Sequence, residues 1–594
     1  MDADMQADDR TKPFYVPKHL AGAGPRVDTG EGATPALEAV GEAVAIAAQA
    51  PAEGDEIELS EEVVKEQVGR SSNMVSILVI ISRITGFLRT SVQAWALGAA
   101  GLASAYTVAN NLPNMLYEFV CGGMLITAFL PVYLSVKKKL GREGSSAYAS
   151  NLLSIVVGLM VIVTVVSLIF AAPIIWTQSA GATEGFDSDL AVWFFRWFAC
   201  EIVLYALSSI ISGVLNAERD YFWSNLAPIF NNVITIGSFV AYGYLTQELG
   251  VAWREAAVVL AIGNPLGVAV QVFCQMPALA RHGVHLTPRV NFRDPALKDT
   301  VTIGLPTIVA TLASVPTTAV ASSCALSVTA AGASISYYAR VWYVLPYSIF
   351  AIPISVTMFT ELSASWISDD KQAYIDYLAD GMKKILFTII PCSMLLIVFA
   401  PALIAVFGGG QFDTEAASQT AEYLQALSLA LPFYALSSYL QKACSSMMRM
   451  NFYAFASVVA SILQVVVCIW FTPVFGLLVV PVSSVLFYGI IDVFALARIR
   501  AIVGGIGASQ LVAPIIRSFV FGAIGSVVGF VLLELLEARF GMCYGAARGL
   551  MYSAAAGIPA ILACFGLASL LHMSDAPFFD SIFSKLARLV RRGK

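Results

Sequence analysis

The chain has 594 residues, of which 58% are hydrophobic and only 13% charged, with a formal net charge of −5. Soluble domains are nearer about 45–50% apolar and about 25% charged, so this composition excludes an ordinary water-soluble enzyme and describes a polytopic membrane protein. The charge balance gives no basic footprint for nucleic acid, which is not an expected partner.

Residues 1–72 differ in character from the rest of the chain. They are rich in Ala, Gly, Glu, Asp and Pro and carry a clear acidic excess. Such a segment cannot bury a core and reads as a disordered acidic tail. It lacks the basic-then-apolar order of a secretory signal. From there apolar stretches of roughly 20 residues, each long enough to cross a bilayer, succeed one another. Their expected limits are 74–98, 106–134, 150–175, 188–215, 224–246, 254–278, 299–327, 333–359, 383–407, 417–446, 452–472, 477–497, 512–535 and 547–571. Basic clusters come after the second span (Lys137, Lys138, Lys139, Arg142), the sixth (Arg281, Arg289, Arg293, Lys298), the eighth (Lys383, Lys384) and the twelfth (Arg498, Arg500), and close the chain (Lys585 to Lys594). Lys/Arg excess marks the cytoplasmic side, so this alternation predicts an even span number with both termini inside.

The first span carries Arg83 and Arg89, about 9 Å apart along a helix axis. A charge at this depth is costly, faces a bundle interior or a wet cavity, and meets something negative. Glu118 in the second span and Glu201 in the fourth are the available counter-charges. Arginine also suits phosphate, whose oxygens take its paired donors. The second span is irregular, with Asn110, Asn111, Pro113, Asn114, Gly122, Gly123 and Pro131. It reads either as a tightly packed kinked helix or as a gating helix whose asparagines face a cavity. Arg196 and Glu201 are expected to pair locally. Arg340 in the eighth span lies among Tyr337, Tyr338, Trp342 and Tyr343, a setting for a sugar-lined wall or for an interfacial aromatic belt. Lys442 can snorkel from the tenth span. Asp492 in the twelfth is the candidate ion or proton carboxylate of the second half. The nine cysteines have no paired or metal spacing and read as small buried hydrophobes, and the four histidines form no ligand pattern.

Two landmarks recur at one offset. Leu112-Pro113 matches Leu345-Pro346, and Arg219-Asp220-Tyr221-Phe222 matches Arg449-Met450-Asn451-Phe452, shifts of about 233 and 230 residues. A repeat of six spans keeps its membrane orientation, so two lobes related by an axis along the membrane normal are expected, with a site between them. The fold class is therefore an all-α membrane protein: an N-lobe (73–280), a C-lobe (281–502), two further helices (503–575) and a basic tail (576–594).

At these residues a resemblance appears. Ser82-Arg83-Ile84-Thr85-Gly86-Phe87-Leu88-Arg89, Leu112-Pro113-Asn114 through Gly123 to Pro131, Tyr337-Tyr338-Ala339-Arg340 leading to Leu345-Pro346, and Val406-Phe407-Gly408-Gly409-Gly410-Gln411-Phe412 stand in order. The chain thus resembles the MurJ/MviN family of lipid II flippases, within the multidrug/oligosaccharidyl-lipid/polysaccharide exporter superfamily, over roughly 74–575. The resemblance implies alternating-access export, without an enzymatic step, of an undecaprenyl-pyrophosphate-linked peptidoglycan precursor across a bacterial cytoplasmic membrane. It places Arg83 and Arg89 on cavity arginines. Substrate-binding residues are then Arg83, Arg89, Arg340, Asn110, Asn111, Asn114 and Glu118, and gating positions are Gly86, Pro113, Gly122, Gly123 and Pro346. The chain departs from the family pattern at Tyr117, Glu118 and Gly122, at Arg340-Val341, where Y-A-D-R is common, and at Ser104. The eleventh span holds Ser457, Ser461 and Gln464 but no carboxylate.

No metal or organic cofactor is expected. Coupling to Na⁺ or H⁺ is open, its site unknown, and no Walker motif points to direct ATP use. Expected partners are lipid II, membrane lipids and cell-wall synthesis proteins. Other readings remain: a flippase for another lipid-linked polysaccharide, a drug or cation antiporter, a glycosyltransferase using lipid-linked sugars, and a transport-inactive cell-wall scaffold.

Overall fold

The computed structural model describes residues 61–570, and all their regular elements are helices. The acidic tail up to residue 60 and the basic tail 576–594 lie outside the described residues. Helix α1 runs Glu61–Leu97 and so begins inside the stretch assigned to the tail.

The N-lobe continues with α2 (Gly101–Tyr117), a π turn (Glu118–Gly122), α3 (Gly123–Ile169), α4 (Ala171–Ser179), α5 (Ser188–Phe198), α6 (Glu201–Ala217), α7 (Tyr221–Gln247), α8 (Trp253–Phe273) and α9 (Met276–Arg281). The C-lobe contains α10 (Pro295–Val328), α11 (Gly332–Pro346), a π turn (Tyr347–Ala351), α12 (Ile352–Ile367), α13 (Lys371–Ala405), α14 (Thr414–Ser428), α15 (Leu431–Ser446), α16 (Met450–Phe475) and α17 (Val479–Val503). The chain ends with α18 (Ala508–Phe540), α19 (Ala546–Ile561), a third π turn (Leu562–Gly566) and α20 (Leu567–Leu570) among the described residues. Four helices start on an aspartate: Asp187, Asp294, Asp370 and Asp413 each accept a backbone N–H of the first turn. This satisfies donors a helix start leaves open.

Grouped at their breaks, these helices make the roughly fourteen passages expected from span length. By length and composition alone, ten helices among the described residues could cross a membrane, or eleven if the pair α5 and α6, bent by 41°, is one span. The gap has physical causes. Gly141, at φ 69°, breaks α3 into two passages. The α14–α15 passage is broken at Leu429-Ala430 and polar in its first half, and α10 registers only as the shorter apolar helix Val315–Val328; irregular backbone and polar side chains are tolerated where protein or a cavity covers them. Large exposed side chains such as Ile77, Ile162, Trp470 and Val493 form the outer surface, as lipid-facing surface requires.

Packing confirms the repeat. Helix α1 packs on α7 as α10 packs on α16, α7 on α8 as α16 on α17, and α2 on α5 as α11 on α14. The register differs slightly from the landmarks. Left-handed residues end equivalent passages at Arg219 (φ 62°) and Met448 (φ 56°), an offset of 229. The two π turns, Glu118–Gly122 and Tyr347–Ala351, keep that offset. The prolines do not: Pro113 lies inside α2 and Pro346 at the end of α11. A left-handed helix end has one possible position, whereas a proline can kink a buried helix from neighbouring turns. Helices α18 and α19 lie outside the repeat and pack on α13, around Phe387 and Phe399.

The lobes are sutured where α1 ends. Ser104 and Ser334, within one residue of each other in the repeat, meet there, Oγ to Oγ at 3.2 Å. The Ser334 hydroxyl donates to the Ala99 carbonyl (2.6 Å) and the Tyr338 hydroxyl to the Gly98 carbonyl (2.8 Å). Gln411 N donates to the Trp95 carbonyl (2.9 Å), and Thr183 N to the Leu326 carbonyl (3.0 Å).

Candidate functional site

The first-span motif divides its work by helix face. The Asn232 amide of α7 donates to Thr85 Oγ1 (3.0 Å) and to the Ser82 carbonyl (3.4 Å). A Cβ on Gly86 would stand 3.6 Å from that amide, ordinary contact, so Gly86 lies on the face that meets α7. Phe87 points the other way and meets Trp342 of α11 edge-on, with ring centroids 4.9 Å apart.

Arg89 is half-buried, and its Nη2 donates to the Tyr337 hydroxyl of α11 at 3.4 Å. This bond joins the lobes at a cation. Arg83 is exposed, and so is Arg340, one turn beyond Tyr337 on α11. Neither forms an ion pair with a carboxylate among the described residues. Along α2, Asn111, Asn114 and Glu118 are exposed or partly so while Asn110 is half-buried. The expected counter-charges are engaged elsewhere. Glu118 Oε1 accepts from Asn114 Nδ2 (3.0 Å). Glu201, fully buried, accepts from Asn264 Nδ2 (2.8 Å) and from the Tyr205 hydroxyl (3.3 Å). Asn264 also donates to Asn110 Oδ1, so the half-buried Asn110 is tied to a core carboxylate.

The expected Arg196–Glu201 pair is absent. The bend between α5 and α6 turns Glu201 into the lobe and leaves Arg196 exposed. Cys121, Cys324, Cys444, Cys468 and Cys564 are buried as expected, but Cys200, at that same break, is exposed. Pro113 is buried just before the first π turn and Pro346 directly precedes the second. Gly122 ends the first π turn and Gly123 opens α3, with their surroundings outside the described residues. Lys442 lies over the Phe359 ring, 5.6 Å from its centroid. A cavity of about 470 Å³ between α4, α10 and α16, lined by Trp176, Ser323, Ser327 and Thr472, includes none of the arginines.

Sequence reasoning missed the Tyr337 and Asn264 bonds. Their signals were present: Tyr337 lies one turn before Arg340, and Asn264 is an amide inside an apolar span.

The family model described as Lipid II flippase MurJ matches residues 93–548. The chain belongs to the MurJ family. It is 27% identical over 413 residues to the probable lipid II flippase MurJ of Borreliella burgdorferi, covering 68% of this chain and 78% of that one. It is 24% identical over 365 residues to the lipid II flippase MurJ of Burkholderia cenocepacia, covering 60% and 69%. In fold it matches a lipid II flippase MurJ structure in an inward closed conformation (TM-score 0.66, 20% identity, 84% of this chain and 99% of that one). It also matches an inward-facing multidrug resistance MATE transporter (TM-score 0.59, 14% identity, 72% and 98%). This MurJ-family chain is thus a multi-pass membrane protein with the two-lobed transporter fold.

Proposed function

We propose that this protein flips lipid II, the isoprenoid-pyrophosphate-linked peptidoglycan precursor, from the inner to the outer leaflet of the bacterial cytoplasmic membrane. The observation that carries the reading is Arg89, bonded across the lobes to Tyr337, with Arg83 and Arg340 exposed and in no ion pair among the described residues. A site with spare cations and committed carboxylates favours an anion. The guanidinium groups of Arg83, Arg89 and Arg340 take the pyrophosphate oxygens, and Asn111 and Asn114 offer amides to the sugar. The lipid tail stays in the bilayer beside α1 and α11.

The basic loops support cytoplasmic termini. On that orientation the sutured end of the lobes faces outward, and the cargo enters from the cytoplasmic side. Binding between the lobes and parting of the suture then exposes the headgroup outside. No covalent step is required. A potential negative inside favours outward movement of net negative charge, by about 2.3 kcal/mol per charge per 100 mV.

The test is rescue of a cell depleted of its own flippase, with outward-facing lipid II scored by a probe that cuts only the exposed headgroup. Rescue by the native chain and its loss in Arg89→Ala, at equal membrane insertion, is the expected result. Normal growth of the mutant would sink the arginine mechanism. A cation antiporter would need free cleft carboxylates, yet Glu118 is held by Asn114.

A further inference from the structure

Among the described residues, Glu201 of the N-lobe and Asp492 of the C-lobe are carboxylates buried in the span bundles, and the two are treated oppositely. Glu201 has a donor for each oxygen, from Asn264 and Tyr205. Asp492 on α17 is 3% exposed, and neither of its oxygens has a hydrogen-bond partner. The repeat gives the contrast a structural meaning. The offset of 229 between Arg219 and Met448 carries Tyr205 onto Tyr434 and Glu201 onto Ala430, and brings Asn264 within one residue of Asp492. The C-lobe has thus placed its carboxylate on the sixth helix of the repeat and has an apolar residue where the N-lobe carboxylate stands.

The ionisable groups that face Asp492 are phenols. Tyr453 of α16 shares its hydroxyl with Ser437 of α15 at 3.1 Å, and Tyr488 stands one turn back on α17. Helices α10, α13 and α14 also pack on α17, and among the described residues none gives Asp492 an ion pair or a hydrogen bond. Tyr488 packs on Tyr434 (5.0 Å between centroids), and Tyr434 on Tyr347 (4.4 Å) and Tyr343 (5.7 Å). The Tyr343 hydroxyl also lacks a partner. This aromatic row ends at α11, within electrostatic range of the exposed Arg340. A buried carboxylate with no donor on either oxygen calls for a proton or a ligand to offset its desolvation. A bound cation would call for several further ligands, and no cluster of three or more His, Cys, Asp or Glu exists among the described residues.

We propose that Asp492 is a proton-binding site of the C-lobe, exchanging with water in the cleft beside Arg340. A proton passes from that water to a carboxylate oxygen, leaving the neutral acid, and the same proton returns to water when the lobes move. Its linkage to cargo export rests on the flippase reading, whereas the protonation does not.

The test uses the full chain in lipid nanodiscs. Infrared difference spectra of the native protein should show a carboxylic-acid C=O band that falls on alkaline titration and is missing in Asp492→Asn. In proteoliposomes, an imposed pH gradient should change the flipping rate of lipid II several-fold in the native chain and not in that variant. Asp492→Glu should move the titration while keeping the band, which covers the case where the amide variant does not fold. Identical spectra for native and Asn variants at every pH would overturn the proposal. So would an absent acid band combined with stabilisation by sodium that Asp492→Asn abolishes, since the carboxylate would then hold a metal cation. Intact titration without flipping would instead overturn the cargo reading alone.

Discussion

Arg89 shows how a single charged side chain is made tolerable inside this bundle. Its helix holds it half in the lobe junction, and a phenol rather than a carboxylate receives its donor. A neutral acceptor leaves the positive charge available to a ligand, whereas a carboxylate would cancel it. Tyr337→Phe should therefore leave the protein inserted and folded while weakening cargo export. A hydrogen bond to a charged group contributes about 1.5–3 kcal/mol, and this one is long, so the low end of that range applies. The readout is outward-facing lipid II at equal expression, and unchanged export would show that Tyr337 only packs. Glu201 is the opposite case, a residue whose value is structural. Glu201→Ala strands the Tyr205 hydroxyl and one Asn264 donor in the N-lobe core, at about 1–3 kcal/mol for each group. Its thermal unfolding midpoint should drop well below that of Glu201→Gln, which retains an acceptor. Equal midpoints for the two variants would refute this account.

Among the elements, the broken helices carry the adaptation. Both α2 and α11 run into π turns beside a proline, and both present polar or charged residues at the lobe junction. A π turn widens the helix and re-aims the side chains beyond it, and such turns are often found at functional sites. The loop after α13 closes the sutured end with equal economy. Gly410 (φ 57°) lies so close to α1 that a Cβ there would overlap the Trp95 carbonyl, 2.3 Å away. Gly98 (φ 67°) meets the Gln411 carbonyl in the same way, at 2.4 Å. Gly98→Ala adds both a left-handed backbone cost of about 1–2 kcal/mol and a clash that separates the lobes. The expected outcome is greater accessibility at this end, read by thiol labelling of a cysteine introduced at Ser334. Labelling no faster than in the parent would show that the loop yields instead of the lobes.

Across the whole molecule, repeat-related residues meet at the suture. The offset of 229 brings Ser104 of α2 within one residue of Ser334 of α11, and the two touch each other. That contact joins the lobes at the end of α1, so it parts if the lobes open at this end. Ser104→Cys with Ser334→Cys, in a background lacking Cys200, should form a disulfide on mild oxidation. Export should then stop and return on reduction. Full export by the cross-linked protein would exclude parting at this end from the transport cycle.

Composition alone fixed the membrane class, and the periodic apolar spans and alternating basic loops fixed the passages, because a bilayer imposes one length and one charge rule on every crossing segment. The repeat was legible at Arg219 and at its C-lobe counterpart, since left-handed helix ends and tight turns constrain sequence locally. Its register was not, because prolines can shift by a turn within a packed helix. Arg83, Arg89 and Arg340 were legible as residue types that a membrane interior rarely admits. Their partners were not: whether Arg89 meets Tyr337, or Glu201 meets Arg196 or Asn264, depends on which faces of distant helices turn toward each other. Only the tertiary structure sets those angles, through the bend between α5 and α6 and the packing of α1 between Asn232 and Trp342. The same packing leaves one buried carboxylate fully bonded and the other alone.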